Sequence, residues 1–143
     1  MELSGITEIL GGQKVLRKRI ENPLDLIELS NEGVTKDALS HLAKKLHLSM
    51  SQMAELLPVA KRTIERKVPG EPFKAHIAER IILIAQVAVK GIKVFEDEEN
   101  FRAWLNLPHT AFAKKTPIDL LASSFGAAMV LDELGRIEYG VFS

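Results

Sequence analysis

The residues with most to offer chemically are a short run of cations, Lys61, Arg62, Arg66 and Lys67, spaced by Thr63, Ile64 and Glu65. Ammonium and guanidinium groups neutralise phosphates, and a guanidinium or hydroxyl can read the edges of bases. Other chemistries find no support. No nucleophile stands beside a base in a known pattern, and no glycine-rich phosphate loop follows a strand, so the chain does not read as an enzyme. Cysteine is absent; His41 and His47 lie six apart, and neither His76 nor His109 falls within one helical turn of another histidine. No metal or cofactor is expected. Glu79 and Arg80 adjoin, but neighbours on a helix point about 100° apart, which suits structural ion pairs better than a catalytic pair.

Cations that read DNA need a rigid element to present them, and Leu48 to Lys67 has the spacing of a helix-turn-helix. Ser49 and Gln52 match a capping box, so a short helix starts here with Met53, Ala54 and Leu57 for its buried stripe. Pro58 breaks it. A second helix from about Ala60 buries Ile64 and turns Lys61, Arg62, Glu65 and Arg66 outward. Ala54 falls where the two helices cross closely, and Val59 and Ile64 fall where apolar residues pin the second against the first. Pro58 stands where a glycine with positive φ is usual, so the turn needs another backbone conformation. Lys61, Arg62, Thr63 and Arg66 are expected to face the groove and Lys67 to meet phosphate. The plainer alternative is a helical hairpin with a solvated basic face.

Composition allows this reading without demanding it. The 143 residues are 46% hydrophobic, enough for a sizeable core in one or two small domains. Net charge is zero, but Lys and Arg against Asp and Glu number 4 and 6 in residues 1–33, 7 and 3 in 34–70, and 8 and 10 in 71–143. The positive surplus thus coincides with the helix-turn-helix. The lack of cysteine suits a reducing cytoplasm, and no signal peptide is visible. The most apolar run, Ile81 to Val89, is too short to span a bilayer, so no membrane role is expected.

The remaining pattern is helical throughout, giving an all-α fold. Residues 1–22 form a variable leader with a Gly11-Gly12 break and the basic run Arg17-Lys18-Arg19; a mobile or loosely packed segment is favoured over a DNA-contacting arm. Pro23 to Gly33 reads as a short helix with Leu24, Ile27 and Leu26 inward. Thr35 to Leu46 reads as a Thr-capped helix burying Ala38, Leu39, Leu42, Ala43 and Leu46. Two prolines and a glycine in residues 68–72 mark a domain joint, dividing the chain into 23–70 and 71–143.

Beyond the joint, Phe73 to Phe95 forms a long helix with Ile77, Ile81, Ile84, Ala85, Ala88 and Ile92 at core spacings. Ile82, Leu83, Val87 and Val89 add a second apolar face, which predicts both core packing and a homodimer contact. Glu96 to Glu99 ends this helix and starts the next, where Phe101, Trp104 and Leu105 share a face. Thr116-Pro117-Ile118-Asp119 starts a helix that stops before Gly126, and a last helix runs from Ala127 to about Tyr139. A tail containing Val141 and Phe142 either tucks onto the core or meets a partner.

Several of these motifs together resemble one family. Ala78-Glu79-Arg80, Ala103-Trp104-Leu105 followed by Pro108, Thr116 to Leu121, Gly126 and the ending Leu134-Gly135-Arg136-Ile137-Glu138-Tyr139-Gly140 are similar to the Xre/MbcA/ParS antitoxins, over about Gly33 to Ser143. The loop Phe112-Ala113-Lys114-Lys115 departs from the glycine pair often seen there. The resemblance implies an Xre-like helix-turn-helix at 23–70 that represses its own promoter through operator DNA, and a toxin-binding and dimerisation domain at 71–143. It implies a partner resembling a RES-domain enzyme, a fold related to ADP-ribosyltransferases, which depletes NAD. The antitoxin's end would enter the toxin's active-site cleft, a role that falls here to Arg136, Tyr139, Gly140, Val141, Phe142 and Ser143. The rival reading is a stand-alone repressor whose C-terminal domain only dimerises or senses a ligand.

Overall fold

Local capping sets most of the helix starts. In the computed structural model, which describes residues 3–140, the helices are α1 Ile6–Ile9, α2 Gln13–Leu16, α3 Pro23–Glu32, α4 Lys36–Leu46, α5 Met50–Leu56, α6 Lys61–Arg66, α7 Ala75–Phe95, α8 Glu98–Leu105, α9 Pro117–Leu120 and α10 Ser124–Glu138. Asn22 and Asp25 form a reciprocal capping box at α3 with Pro23 in the first turn. Thr35 accepts the Ala38 N–H at α4, and Thr116 accepts the Asp119 N–H at α9 beside Pro117. At α5 the box is complete: the Gln52 N–H donates to Ser49 Oγ at 3.1 Å and the Ser49 N–H to Gln52 Oε1 at 2.8 Å. Among the described residues no strand forms beyond two isolated antiparallel bridges.

The long helix α7 is the axis, and α1, α3, α4, α8 and α10 all pack on it. Ile77, Ile81, Ile84, Ala85 and Ala88 are buried as their spacing predicts, and Ile92 is half-buried. Ile82 and Val87, expected on a second face, are buried as well, leaving Leu83 and Val89 only partly covered. The apolar character of α7 is therefore met largely inside its own chain. Gly91 permits the tight approach of α8, since a Cβ there would lie 2.0 Å from the Phe101 ring.

Three expectations are corrected. The leader is not loose: Ile6 and Leu10 are fully buried, α1 packs on α7 and α4, and Lys18 reaches Glu28 at 2.7 Å and Glu32 at 3.7 Å on α3. On α3, Leu24 and Ile27 point to solvent, 67% and 57% exposed, while Leu29 and Ser30 are buried and Leu26 half-buried. Residues 26, 29 and 30 form one helical stripe, and packing against α7 selects it over the stripe of Leu24 and Ile27.

The third concerns Gly126. It does not lie beyond a helix end but in the first turn of α10, which starts earlier because the Ser123 hydroxyl accepts the Gly126 N–H at 2.9 Å. A Cβ at Gly126 would lie 1.8 Å from the Leu120 carbonyl oxygen, so glycine serves the close approach of α9 to α10.

Candidate functional site

The two helices α5 and α6 are joined without any positive φ. The Val59 N–H reaches Leu57 O at 2.8 Å, a three-residue turn centred on Pro58, whose fixed φ suits it. This replaces the usual glycine turn. Ile64 is buried to 1% exposure and pins α6, so the opposite face of that helix is necessarily outward: Lys61, Arg62, Thr63, Glu65 and Arg66 are exposed. Lys61 lies 3.8 Å from Glu65. The structure thus brings the first four expected site residues together on one presented surface.

Lys67 is placed differently. Its side chain is only 17% exposed, with Nζ 3.6 Å from Glu71 and 5.4 Å above the centre of the Phe73 ring. It is engaged in the fold rather than turned outward, because Lys67 already follows the last helical residue and its backbone is extended.

Spacing alone did not reveal Lys36 or Arg80. The Lys36 ammonium, at the start of α4, donates to the carbonyls of Glu65 at 3.3 Å and Lys67 at 3.5 Å, at the far end of α6. Beside it the Phe73 N–H donates to Val34 O at 2.9 Å and Thr35 bridges to Pro72. Gly33, at φ 101°, would carry a Cβ 2.3 Å from that of Pro72. Residues 33–36 therefore hold the chain that leaves α6. Arg80, expected to form an ion pair, instead donates from Nη1 to Leu56 O at 3.2 Å and Ala122 O at 2.8 Å, tying the end of α5 to the loop before α10. Arg80 also borders an open groove of about 720 Å³ with Leu26, Ile27, Ile82 and Leu83. A long-range contact of this kind leaves no periodic trace in a sequence.

At the other candidate surface, the end of α10 is anchored by Glu138. Its carboxylate pairs with Lys90 and lies 3.5 Å from Lys93, both on α7. The hydrogen bond from Lys90 holds the Glu138 carboxyl below the usual carboxylate range, against the opposing effect of desolvation. Beyond the anchor, Tyr139 is 80% exposed and Gly140 adopts φ 67°. Arg136 is exposed and meets Glu133 at 3.0 Å. Val141, Phe142 and Ser143, expected in the same site, lie outside the described residues.

Among the described residues no group of three His, Asp or Glu side chains is arranged to hold a metal ion, and no helix is long and apolar enough to cross a membrane.

Comparisons with known proteins match two family models along the chain. Residues 25–86 match the antitoxin Xre-like helix-turn-helix domain, and residues 90–140 match the antitoxin Xre/MbcA/ParS C-terminal toxin-binding domain. The first match ends and the second begins inside α7. A Sphingobium protein named Prs ADP-ribosylating antitoxin is 26% identical, covering 85% of this chain and 83% of its own length. The antitoxin Xre of Yersinia enterocolitica is 23% identical, over 82% of this chain and 81% of its own. Among solved structures, a chain of the Mycobacterium tuberculosis MbcT-MbcA toxin-antitoxin complex superposes with a TM-score of 0.58 at 20% identity, over 76% of this chain and 96% of that one.

Proposed function

This chain belongs to the Xre/MbcA/ParS antitoxins, by its tandem helix-turn-helix and toxin-binding domains, and on that premise we propose that it neutralises a RES-type, NAD-degrading toxin and represses its own operon. In this reading residues 23–70 bind operator DNA and residues 71–143 bind the toxin and pair two copies in the cytoplasm. The observation that carries the toxin-binding half is Tyr139, an aromatic side chain left 80% exposed directly after the Glu138 anchor. An exposed aromatic on a fixed helix end, followed by a glycine, is suited to enter a cleft. In this reading Arg136, Tyr139, Gly140, Val141, Phe142 and Ser143 supply the inserting end.

Operator binding is assigned to Lys61, Arg62, Thr63 and Arg66 on α6. Paired half-sites call for two copies, so the repressing species is a homodimer. The name of the Sphingobium relative favours a second form of the toxin's chemistry, ADP-ribosyl transfer. It draws on the same dinucleotide and leaves the antitoxin's task unchanged.

Deleting Val141 to Ser143 tests the inserting end. The truncated chain should still shift the DNA upstream of its own reading frame, yet fail to suppress NAD loss by the purified partner toxin. Full suppression by the truncated chain would remove the tail from the mechanism.

A further inference from the structure

A six-residue reading helix has few contacts of its own to hold it, and its C-terminal end carries an inherent defect. In a continuing helix the Glu65 carbonyl would accept an N–H from residue 69, but that residue is Pro69, which has none. The helix ends after Arg66, and the Lys67 backbone is extended. The carbonyl end of any helix also gathers partial negative charge. The Lys36 ammonium stands at this end, 3.3 Å from the Glu65 oxygen and 3.5 Å from that of Lys67, half-buried at the first position of α4. It supplies from another helix the donor that the local sequence cannot provide.

We propose that Lys36 is a positioning residue for DNA recognition: it caps α6 in trans and fixes the angle at which Arg62 and Arg66 are presented. This rests on the reading of α6 as the operator-contacting helix. It also separates Lys36 from the other cations of residues 34–70. Counted by charge alone, Lys36 belongs to the phosphate-binding surplus; counted by geometry, its charge is directed at two backbone carbonyls. The neighbouring Val34–Phe73 hydrogen bond and Thr35–Pro72 bridge hold the same junction, so loss of the ammonium should loosen α6 without detaching it.

The test uses the full chain with Lys36→Met, which keeps the aliphatic stem, and Lys36→Arg, which keeps the donor. Amide exchange is read at Ile64 and Lys67, whose N–H groups bond Ala60 and Ile64, with α7 amides as the internal control. Affinity is read on the upstream DNA and on a scrambled duplex across a salt series. In K36M, exchange in α6 should accelerate severalfold with α7 unchanged, and affinity for upstream DNA should fall about tenfold. Binding to the scrambled duplex and the salt slope should stay as in the wild type, and K36R should restore both readouts. Unchanged α6 exchange in K36M would overturn the proposal. So would equal loss on both duplexes with a salt slope smaller by about one, the mark of a direct phosphate contact. If the wild type does not distinguish the two duplexes, operator reading itself fails, and the exchange data alone decide whether Lys36 positions α6.

Discussion

Arg62 and Arg66 stand exposed on α6, whose opposite side is pinned by Ile64. Replacing both with Ala removes cations without touching the core, so the fold should melt as the wild type does while specific operator affinity is lost. If both reach phosphates, the logarithmic salt slope shrinks by about two, measurable by fluorescence anisotropy. Glu138 makes a different kind of prediction. Its folded-state pKa is lowered by the hydrogen bond from Lys90. Its stabilising contribution is therefore complete above the unfolded carboxylate value and is lost as pH falls through the folded one. Thermal melts of wild type and Glu138→Gln should differ near neutral pH and converge as pH falls through the lowered folded-state value.

At the scale of elements, the leader and the 113–114 loop carry the clearest consequences. Ile6 is fully buried beneath α7, so Ile6→Ala should cost about 2–5 kcal/mol, read from chemical denaturation. Ala113 and Lys114 both take left-handed backbone, at φ 53° and 67°. These are positive-φ conformations in the loop where the family often has a glycine pair. Left-handed backbone disfavours a side-chain-bearing residue by about 1–2 kcal/mol, partly offset by the entropy of a glycine. Lys114→Gly should therefore raise stability by about 0.5–1 kcal/mol, seen as a higher denaturation midpoint.

The same elements show what could be read in advance. Thr35, Ser49 with Gln52, and Thr116 with Pro117 announced helix starts because a cap acts within three or four residues. The buried stripe of α4 and the outward face of α6 followed from period alone. Leu24 and Ile27 face solvent because α3 offers two apolar stripes, and only packing against α7 chooses between them. Burial of Ile6 and the contacts of Lys36 and Arg80 depend on partners far along the chain, whereas the place of Gly126 inside α10 is set locally by the Ser123 cap.

For the whole molecule, α7 joins the two matched domains: one match ends and the other begins within it, and Arg80 on it bonds the end of α5 and the loop before α10. By its proposed function this chain restrains a toxic partner. The most direct test is growth of cells expressing the adjacent reading frame, alone and with this protein supplied in trans, while NAD is measured. Growth should stop and NAD should fall without this protein, and both should recover with it. A harmless neighbour, or a toxic one that this protein does not restrain, would contradict it and leave a stand-alone repressor as the better description.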